Sequence, residues 1–199
     1  METRTVGGRK FLILSWADIE KLVESVEEAL GRDGYRPDTL VGVLRGGMIV
    51  ANLLSDLLNI REVYVVGFKS YAGLSAGEVR LYHDLLLKDL GGRDVLLVDD
   101  VADTGSTLET AVEKILKPRN PRTVRTATLL IKPWSKSKPD YNVVSTDAWV
   151  VFPWERMETV RAVGRMWAES LGFEKAAAEL AEVSRLRPER VSRTLKELI

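Results

Sequence analysis

The chain of 199 residues contains no cysteine. This absence excludes disulfide bonds, a catalytic thiolate, and zinc or iron–sulfur centres held by cysteine. A protein without disulfides suits a reducing compartment, so we expect a cytoplasmic location. Stability must come from packing, and the chain is long enough to bury one substantial core.

A long apolar run and an excess of charge of one sign are also lacking. No window approaches the roughly 18 apolar residues of a membrane-spanning helix, and the N-terminus lacks the apolar core of a signal peptide. Lys plus Arg and Asp plus Glu both total 29, so the formal net charge is zero. Because no general basic field would hold nucleic acid or an anionic membrane, we expect neither as a partner.

Short apolar runs alternate with segments of helical periodicity. This alternation predicts an α/β fold, with a mostly parallel twisted sheet flanked by helices. The predicted strands are 39–44, 63–68, 95–98, 124–131 and 148–152. The predicted helices are 16–30, 49–58, 107–116, 158–171, 176–183 and 188–198. We expect residues 1–172 to form one domain and residues 173–199 to form a helical tail that resembles a helix-turn-helix.

The junction between strand 95–98 and helix 107–116 carries three carboxylates, a glycine and three hydroxyls. Residues 99–107 read Asp-Asp-Val-Ala-Asp-Thr-Gly-Ser-Thr. The first N–H groups of a helix have no internal partner and attract anions, so a phosphate fits at this junction. Gly105 allows close backbone approach. Hydroxyl donors to the phosphate are available on Thr104, Ser106 and Thr107.

Asp99 and Asp100 need a different partner, because a carboxylate repels a phosphate. Vicinal ribose hydroxyls or a hydrated magnesium ion are suitable, and together with the phosphate they describe a phosphorylated sugar. Each half of the motif has an ordinary alternative. An acidic pair at a strand end also occurs in receiver domains and solvated loops, and the hydroxyls could simply cap a helix.

The whole stretch closely resembles the signature with which type I phosphoribosyltransferases bind 5-phosphoribosyl-1-pyrophosphate (PRPP). That signature is four apolar residues, two acids, two apolar residues, Asp-Thr-Gly and then hydroxyls. The resemblance implies that Asp99 and Asp100 hold the ribose hydroxyls and bind Mg²⁺, and that Asp103 is the general base. The implied 5-phosphate cradle is Ala102, Asp103, Thr104, Gly105, Ser106 and Thr107.

Two further segments extend the resemblance. Leu44, Arg45 and Gly46 correspond to the pyrophosphate loop, where we expect a cis peptide between Leu44 and Arg45. Ser70 and Tyr71 correspond to the start of the catalytic loop of 6-oxopurine members, which closes over the reaction centre as a long excursion to residue 78. The alternative for this pair is an ordinary strand end with a half-buried tyrosine.

Lys132 and the segment 147–155 are similar to the base-binding hood of the xanthine, guanine and hypoxanthine enzymes. Lys132 can donate to the O6 atom of a purine, and the ring of Trp149 can stack on the base. The resemblance implies that the backbone of Val150 contacts the far edge of the base and that Glu155 binds a second Mg²⁺. Core packing of Trp149 and a surface role for Lys132 are the alternatives.

The resemblance therefore implies an Mg²⁺-dependent purine salvage enzyme. Such an enzyme transfers the phosphoribosyl group from PRPP to N9 of hypoxanthine, guanine or xanthine and releases pyrophosphate. PRPP, a purine base and a second copy of the chain in a homodimer or higher homo-oligomer are the implied partners. The tail leaves open a non-catalytic regulator that binds PRPP or a nucleotide and contacts DNA. The tail contains six basic and five acidic residues. This balance argues against the regulator, because a phosphate backbone prefers a one-sided basic face.

Overall fold

The computed structural model describes residues 1–69 and 79–199. Its strands in chain order are β1 (Glu2–Val6), β2 (Arg9–Ile13), β3 (Thr39–Leu44), β4 (Glu62–Lys69), β5 (Arg80–His83), β6 (Asp94–Ala102), β7 (Thr123–Ile131), β8 (Tyr141–Ser145) and β9 (Trp149–Val151). The α-helices are α1 (Trp16–Asp33), α2 (Gly46–Leu57), α3 (Ser106–Ala111), α4 (Arg156–Leu171), α5 (Phe173–Ser184) and α6 (Pro188–Leu198). The chain divides into two compact units, one of residues 20–146 and one of residues 1–19 with 147–199.

The larger unit is built on a sheet with the strand order β5-β4-β3-β6-β7-β8. Neighbouring strands are parallel except for the antiparallel pair of β4 and β5. β3, β6 and β7 are central, and each contains a run of four or five consecutive buried residues, as expected of strands covered on both faces. The predicted α/β class and mostly parallel sheet are confirmed.

Strand β6 is longer than the sequence predicts. The apolar run ends at Val98, but the backbone ladder with β7 continues through Asp99 and Ala102, which pair with Thr128 and Ile131. The prediction of a loop beginning at Asp99 is therefore wrong, because pairing with a long neighbour maintains the strand where its own apolar character stops. The two acids lie on the last part of a strand.

The helix starts follow local signals in the sequence. At α1, the Asp18 N–H donates to Ser15 Oγ at 3.2 Å, while the Ser15 N–H donates to Asp18 Oδ2 at 2.9 Å. This reciprocal pair is a capping box, and it fixes the start of α1. Helix α3 begins at Ser106, one residue before the prediction, and continues into a π-helical turn at Val112–Leu116.

The smaller unit pairs a three-stranded sheet with three helices. β1 and β2 form an antiparallel hairpin, and β2 is parallel to β9. The buried cluster of this unit joins the sheet to all three helices through, among others, Phe11, Trp167, Leu180 and Leu195. The predicted tail helices are thus part of a shared core, and a domain boundary at Gly172 stays a prediction. Among residues 1–69 and 79–199, no helix has the length and apolar character to cross a bilayer.

Candidate active site

The end of β3 forms a tight turn into α2. The Leu44–Arg45 peptide bond is cis, as expected. Arg45 is exposed, whereas Gly46 and Gly47 are buried at the start of the helix. A Cβ atom on Gly47 would lie 2.4 Å from the Val98 carbonyl oxygen, so the start of α2 is in backbone contact with β6. The predicted pyrophosphate turn therefore lies beside the last part of β6.

Asp99 and Asp100 occupy different surroundings at the end of β6. Successive side chains of a strand point to opposite faces, and Asp99 is half-buried while Asp100 is only 7% exposed. Asp99 Oδ1 accepts from the Asp100 N–H at 2.9 Å, and Asp100 Oδ1 accepts from the Val101 N–H at 2.8 Å. Local backbone donors thus hold both carboxylates at the strand end.

The turn from Asp103 to Gly105 connects β6 to α3. Gly105 has a φ of 84°, and a Cβ atom there would lie 2.5 Å from the Ser137 carbonyl oxygen. Glycine is therefore required both by the left-handed backbone and by the space. Thr104 Oγ1 donates to Ser106 Oγ at 2.9 Å and accepts from the Ser106 N–H at 3.3 Å. A hollow of about 190 Å³ is lined by this turn together with Val79, Asp99, Val101, Ala102, Thr107 and Leu108.

The turn after β7, residues 132–137, packs on the turn after β6. The Lys132 N–H donates to the Ala102 carbonyl at 2.9 Å, and the Lys136 N–H donates to the Thr104 carbonyl at 3.1 Å. The predicted O6 donor, Lys132, is thereby joined through its backbone to the predicted phosphate cradle. Between these two anchors lies Trp134, whose indole N–H donates to Asp103 Oδ1 at 2.7 Å.

Sequence reasoning missed Trp134. Its signal was available, since Trp134 follows Lys132 and Pro133 directly after a strand that was predicted. What was lacking was the knowledge that β6 and β7 are adjacent and parallel, which brings their carboxyl ends to the same edge of the sheet.

The remaining hood residues belong to the smaller unit. Trp149 lies on β9, is 37% exposed, and has the Arg9 guanidinium 5.2 Å from its ring centroid. Its indole Nε1 is 3.4 Å from Thr159 Oγ1. Val150 is opposite Leu12 in the parallel ladder, and Glu155 immediately precedes α4. The ring of Trp149 is therefore not buried in the core.

Residues 13–156 match the family model described as a phosphoribosyl transferase domain. This range includes the turn after β3, residues 99–107 and Lys132, and it covers more than half of the chain. The chain belongs to the phosphoribosyltransferase family. Residues 157–199, with α5 and α6, lie outside the matched range.

Named relatives and solved structures agree with this assignment. The xanthine-guanine phosphoribosyltransferase of Cereibacter sphaeroides is 32% identical over 157 residues, which is 71% of this chain and 85% of that protein. A purine phosphoribosyltransferase structure from Pyrococcus horikoshii has 36% identity and a TM-score of 0.64, covering 72% of this chain and 93% of that one. The Helicobacter pylori xanthine-guanine-hypoxanthine phosphoribosyltransferase has 26% identity and a TM-score of 0.65, covering 76% and 99%.

In this phosphoribosyltransferase the larger unit brings three predicted segments to one edge of its sheet, namely the turns after β3, β6 and β7. Ser70 and Tyr71 lie outside the described residues. Within the described ranges, no group of three or more His, Asp or Glu side chains is placed to hold a metal ion alone. The roles assigned to individual residues by the resemblance stay predictions.

Proposed function

We propose that this phosphoribosyltransferase is a purine salvage enzyme that transfers the 5-phosphoribosyl group of PRPP to N9 of hypoxanthine, guanine or xanthine. The observation that carries the proposal is the 2.9 Å hydrogen bond from the Lys132 N–H to the Ala102 carbonyl. This bond joins Lys132, whose ammonium can donate to a purine O6, to the turn after β6, which can hold a phosphorylated sugar. The names of the relatives support the same substrate class.

In the proposed reaction, the bond between ribose C1 and the pyrophosphate oxygen breaks and the bond between C1 and purine N9 forms. Ribose C1 gains oxocarbenium character, as in glycoside hydrolysis. The carboxylate of Asp103 accepts the proton that N9 loses, which gives the nucleoside monophosphate and pyrophosphate. Arg45 and the backbone N–H groups of the turn after β3 stabilise the departing negative charge. No covalent protein nucleophile is needed.

The carboxylates at the end of β6 suit an Mg²⁺ ion that the substrate phosphates would bind as well. Magnesium is commonly bound by one or two carboxylates together with substrate phosphates and water, and Asp99 and Asp100 offer such carboxylates at the end of β6. When bound, the ion would neutralise charge on the pyrophosphate. Asp99 and Asp100 are the residues we propose to hold it or the ribose hydroxyls, with Glu155 as a ligand of a second ion.

The proposed recognition of the base favours an oxygen at position 6. The Lys132 ammonium donates to O6, whereas the amino group of adenine would place a donor against a donor. Trp149 supplies an aromatic face for stacking and the backbone of Val150 contacts the far edge of the ring. Ser70 and Tyr71 would exclude water from the reaction centre.

We also propose a cytoplasmic homo-oligomer, for which sedimentation equilibrium gives the subunit number.

The deciding experiment measures nucleotide formation from PRPP and Mg²⁺ with hypoxanthine, guanine, xanthine and adenine in turn. We expect turnover with 6-oxopurines and little with adenine. Asp103→Asn should lower kcat by about 100-fold, a typical contribution of a general base. The matched control is Asp56→Asn on α2, an exposed carboxyl that the proposed mechanism does not use.

Binding of PRPP without turnover of any base would contradict the proposed enzyme and favour the regulator. None of the relatives named above is described as a DNA-binding protein. Turnover by Asp103→Asn at the unmodified rate would leave the enzyme in place but remove Asp103 as general base.

A further inference from the structure

The indole of Trp134 contacts two residues of the candidate active site at once. Its Nε1–H donates to Asp103 Oδ1 at 2.7 Å, and the Lys132 ammonium lies 5.5 Å from its ring centroid. A hydrogen bond to an ionised acceptor is stronger than one between neutral groups, and an ammonium within about 6 Å of an indole face is attracted by it. One side chain thus links the predicted proton acceptor to the predicted O6 donor.

The backbone on both sides of Trp134 is fixed. The Lys132 N–H donates to Ala102 and the Lys136 N–H donates to Thr104, while the Ser135 N–H closes the turn on the Lys132 carbonyl at 3.0 Å. Buried Ser135 adds a hydrogen bond from its hydroxyl to the Ser137 carbonyl at 3.0 Å. The indole is therefore held in place by the same turn that packs on the phosphate cradle.

Core packing does not account for this tryptophan. Trp134 is 53% exposed, whereas Trp167 in the smaller unit is 1% exposed. An indole with half of its surface in water gains much less from burial than a core indole does. The contacts of the indole with the two polar groups, rather than its burial, therefore explain the position of the ring.

We propose that Trp134 is a positioning residue, which holds Asp103 through its N–H and Lys132 through its ring face. This inference rests on the proposed function. Indole is a donor only, so it engages Oδ1 and leaves Asp103 Oδ2 to accept the purine proton. The ring sets the distance between the group that accepts this proton and the group that recognises O6. Trp134 itself does not contact the reacting atoms.

Two substitutions separate the two contacts. Trp134→Phe keeps an aromatic face for Lys132 but removes the N–H, so kcat should fall about tenfold while KM for the base stays unchanged. Trp134→Leu removes both contacts, so the same fall in kcat should be joined by a several-fold rise in KM for the base. Trp16→Phe, at another half-exposed tryptophan, is the control for the type of substitution and should retain the original kcat.

A double-mutant cycle tests whether Trp134 acts through Asp103. In an Asp103→Asn background, Trp134→Phe should lower kcat by less than twofold, because the carboxylate that it positions is already gone. The indole N–H resonance of Trp134, assigned by its loss in Trp134→Phe, should also move in Asp103→Ala.

Three outcomes would overturn the inference. An unchanged kcat in Trp134→Phe removes the positioning role, and a raised KM with unchanged kcat assigns Trp134 to stacking on the base instead. Equal losses from Trp134→Phe in the two backgrounds show that it does not act through Asp103. Failure of the proposed function is distinguishable from these results, because the unmodified protein would then make no nucleotide from any base. In that case Trp134 would lose its role as well.

Discussion

Gly47 and Asp99 are in backbone contact, since a Cβ atom on Gly47 would lie 2.8 Å from Asp99 Cα and 3.0 Å from Asp99 Oδ1. This contact joins the first turn of α2 to the end of β6. It places the turn that carries Arg45 beside the strand end that carries the two acids. No side chain can be accommodated at position 47 without movement of one backbone or the other.

We expect Gly47→Ala to lower the free energy of unfolding by about 1–3 kcal/mol, because overpacking against a backbone forces a shift. The shift acts on the candidate site, so KM for PRPP should rise as well. Gly31→Ala is the control, since position 31 lies in α1 with open space around it and should gain up to about 1 kcal/mol. Urea unfolding gives both values. Equal stability of the two variants would contradict the contact.

Gly105→Ala should destabilise the protein more than Gly92→Ala. Both glycines have positive φ, 84° and 77°, but a Cβ atom at position 92 meets nothing within 4 Å. Gly92→Ala therefore measures the backbone strain alone, about 1–2 kcal/mol. Gly105→Ala adds the clash with Ser137, for a total of about 3 kcal/mol. Thermal and urea unfolding measure the loss of stability in each of the two variants. Equal losses would refute the expected clash at position 105.

Leu180→Ala should test whether α5 is part of the folded core. Leu180 is completely buried in the smaller unit with Trp167 and Leu195. Removing its side chain should lower the unfolding free energy by about 2–5 kcal/mol. Leu86→Ala is the matched control, because Leu86 is 83% exposed and its truncation should change stability by at most about 0.5 kcal/mol. A small effect at Leu180 would mean that the tail is not held in this core.

Asp18 should make stability depend on pH at the acid end. Partial burial by itself would raise its pKa, but hydrogen bonds from the Met1 amino group and from Ser15 outweigh burial and lower the pKa from 3.8 to about 2. A lowered folded-state pKa stabilises the protein above the unfolded value, and this contribution is lost as pH falls from about 4 to 2. Asp18→Asn should therefore cost about 1–2 kcal/mol at pH 6 and almost nothing at pH 2.

Urea unfolding of Asp18→Asn at a series of pH values checks this expectation. Glu20→Gln, which neutralises an exposed carboxyl on the same helix, controls for the change in net charge. A deficit of Asp18→Asn that is the same at pH 6 and pH 2 would show that lost capping, rather than ionisation, is responsible.

Much of the fold was predictable where one local signal is sufficient. The bounds of β3 coincide with the prediction, because a short apolar run lies between Pro37 and the Arg-Gly-Gly turn. The hairpin of β1 and β2 was missed, since these strands have five residues each and β1 alternates poorly between apolar and polar. β5 and β8 were missed for a similar reason, as they are short strands at the two edges of the sheet.

The candidate site was predictable to the extent that it is written in continuous sequence. Residues 99–107 form one uninterrupted motif, so their resemblance to a PRPP-binding signature is visible without a structure. The partner of Asp103 was not visible, because Trp134 is 31 residues away and meets it only through the pairing of β6 with β7. The end of β6 was misjudged for the same reason, since strand pairing rather than composition decides it.

The register of the central strands also has a consequence for synthesis and folding. The turns after β3, β6 and β7 are far apart along the chain and become neighbours only when Gly42 pairs with Val98 and Ala102 pairs with Ile131. A nascent chain that does not yet contain β7 also lacks Lys132. The hydrogen bonds that hold the turn after β7 on the turn after β6 therefore cannot form in it. A ligand that requires all three turns recognises only the completed sheet, so its binding energy adds to the stability of the whole unit rather than to any fragment of it.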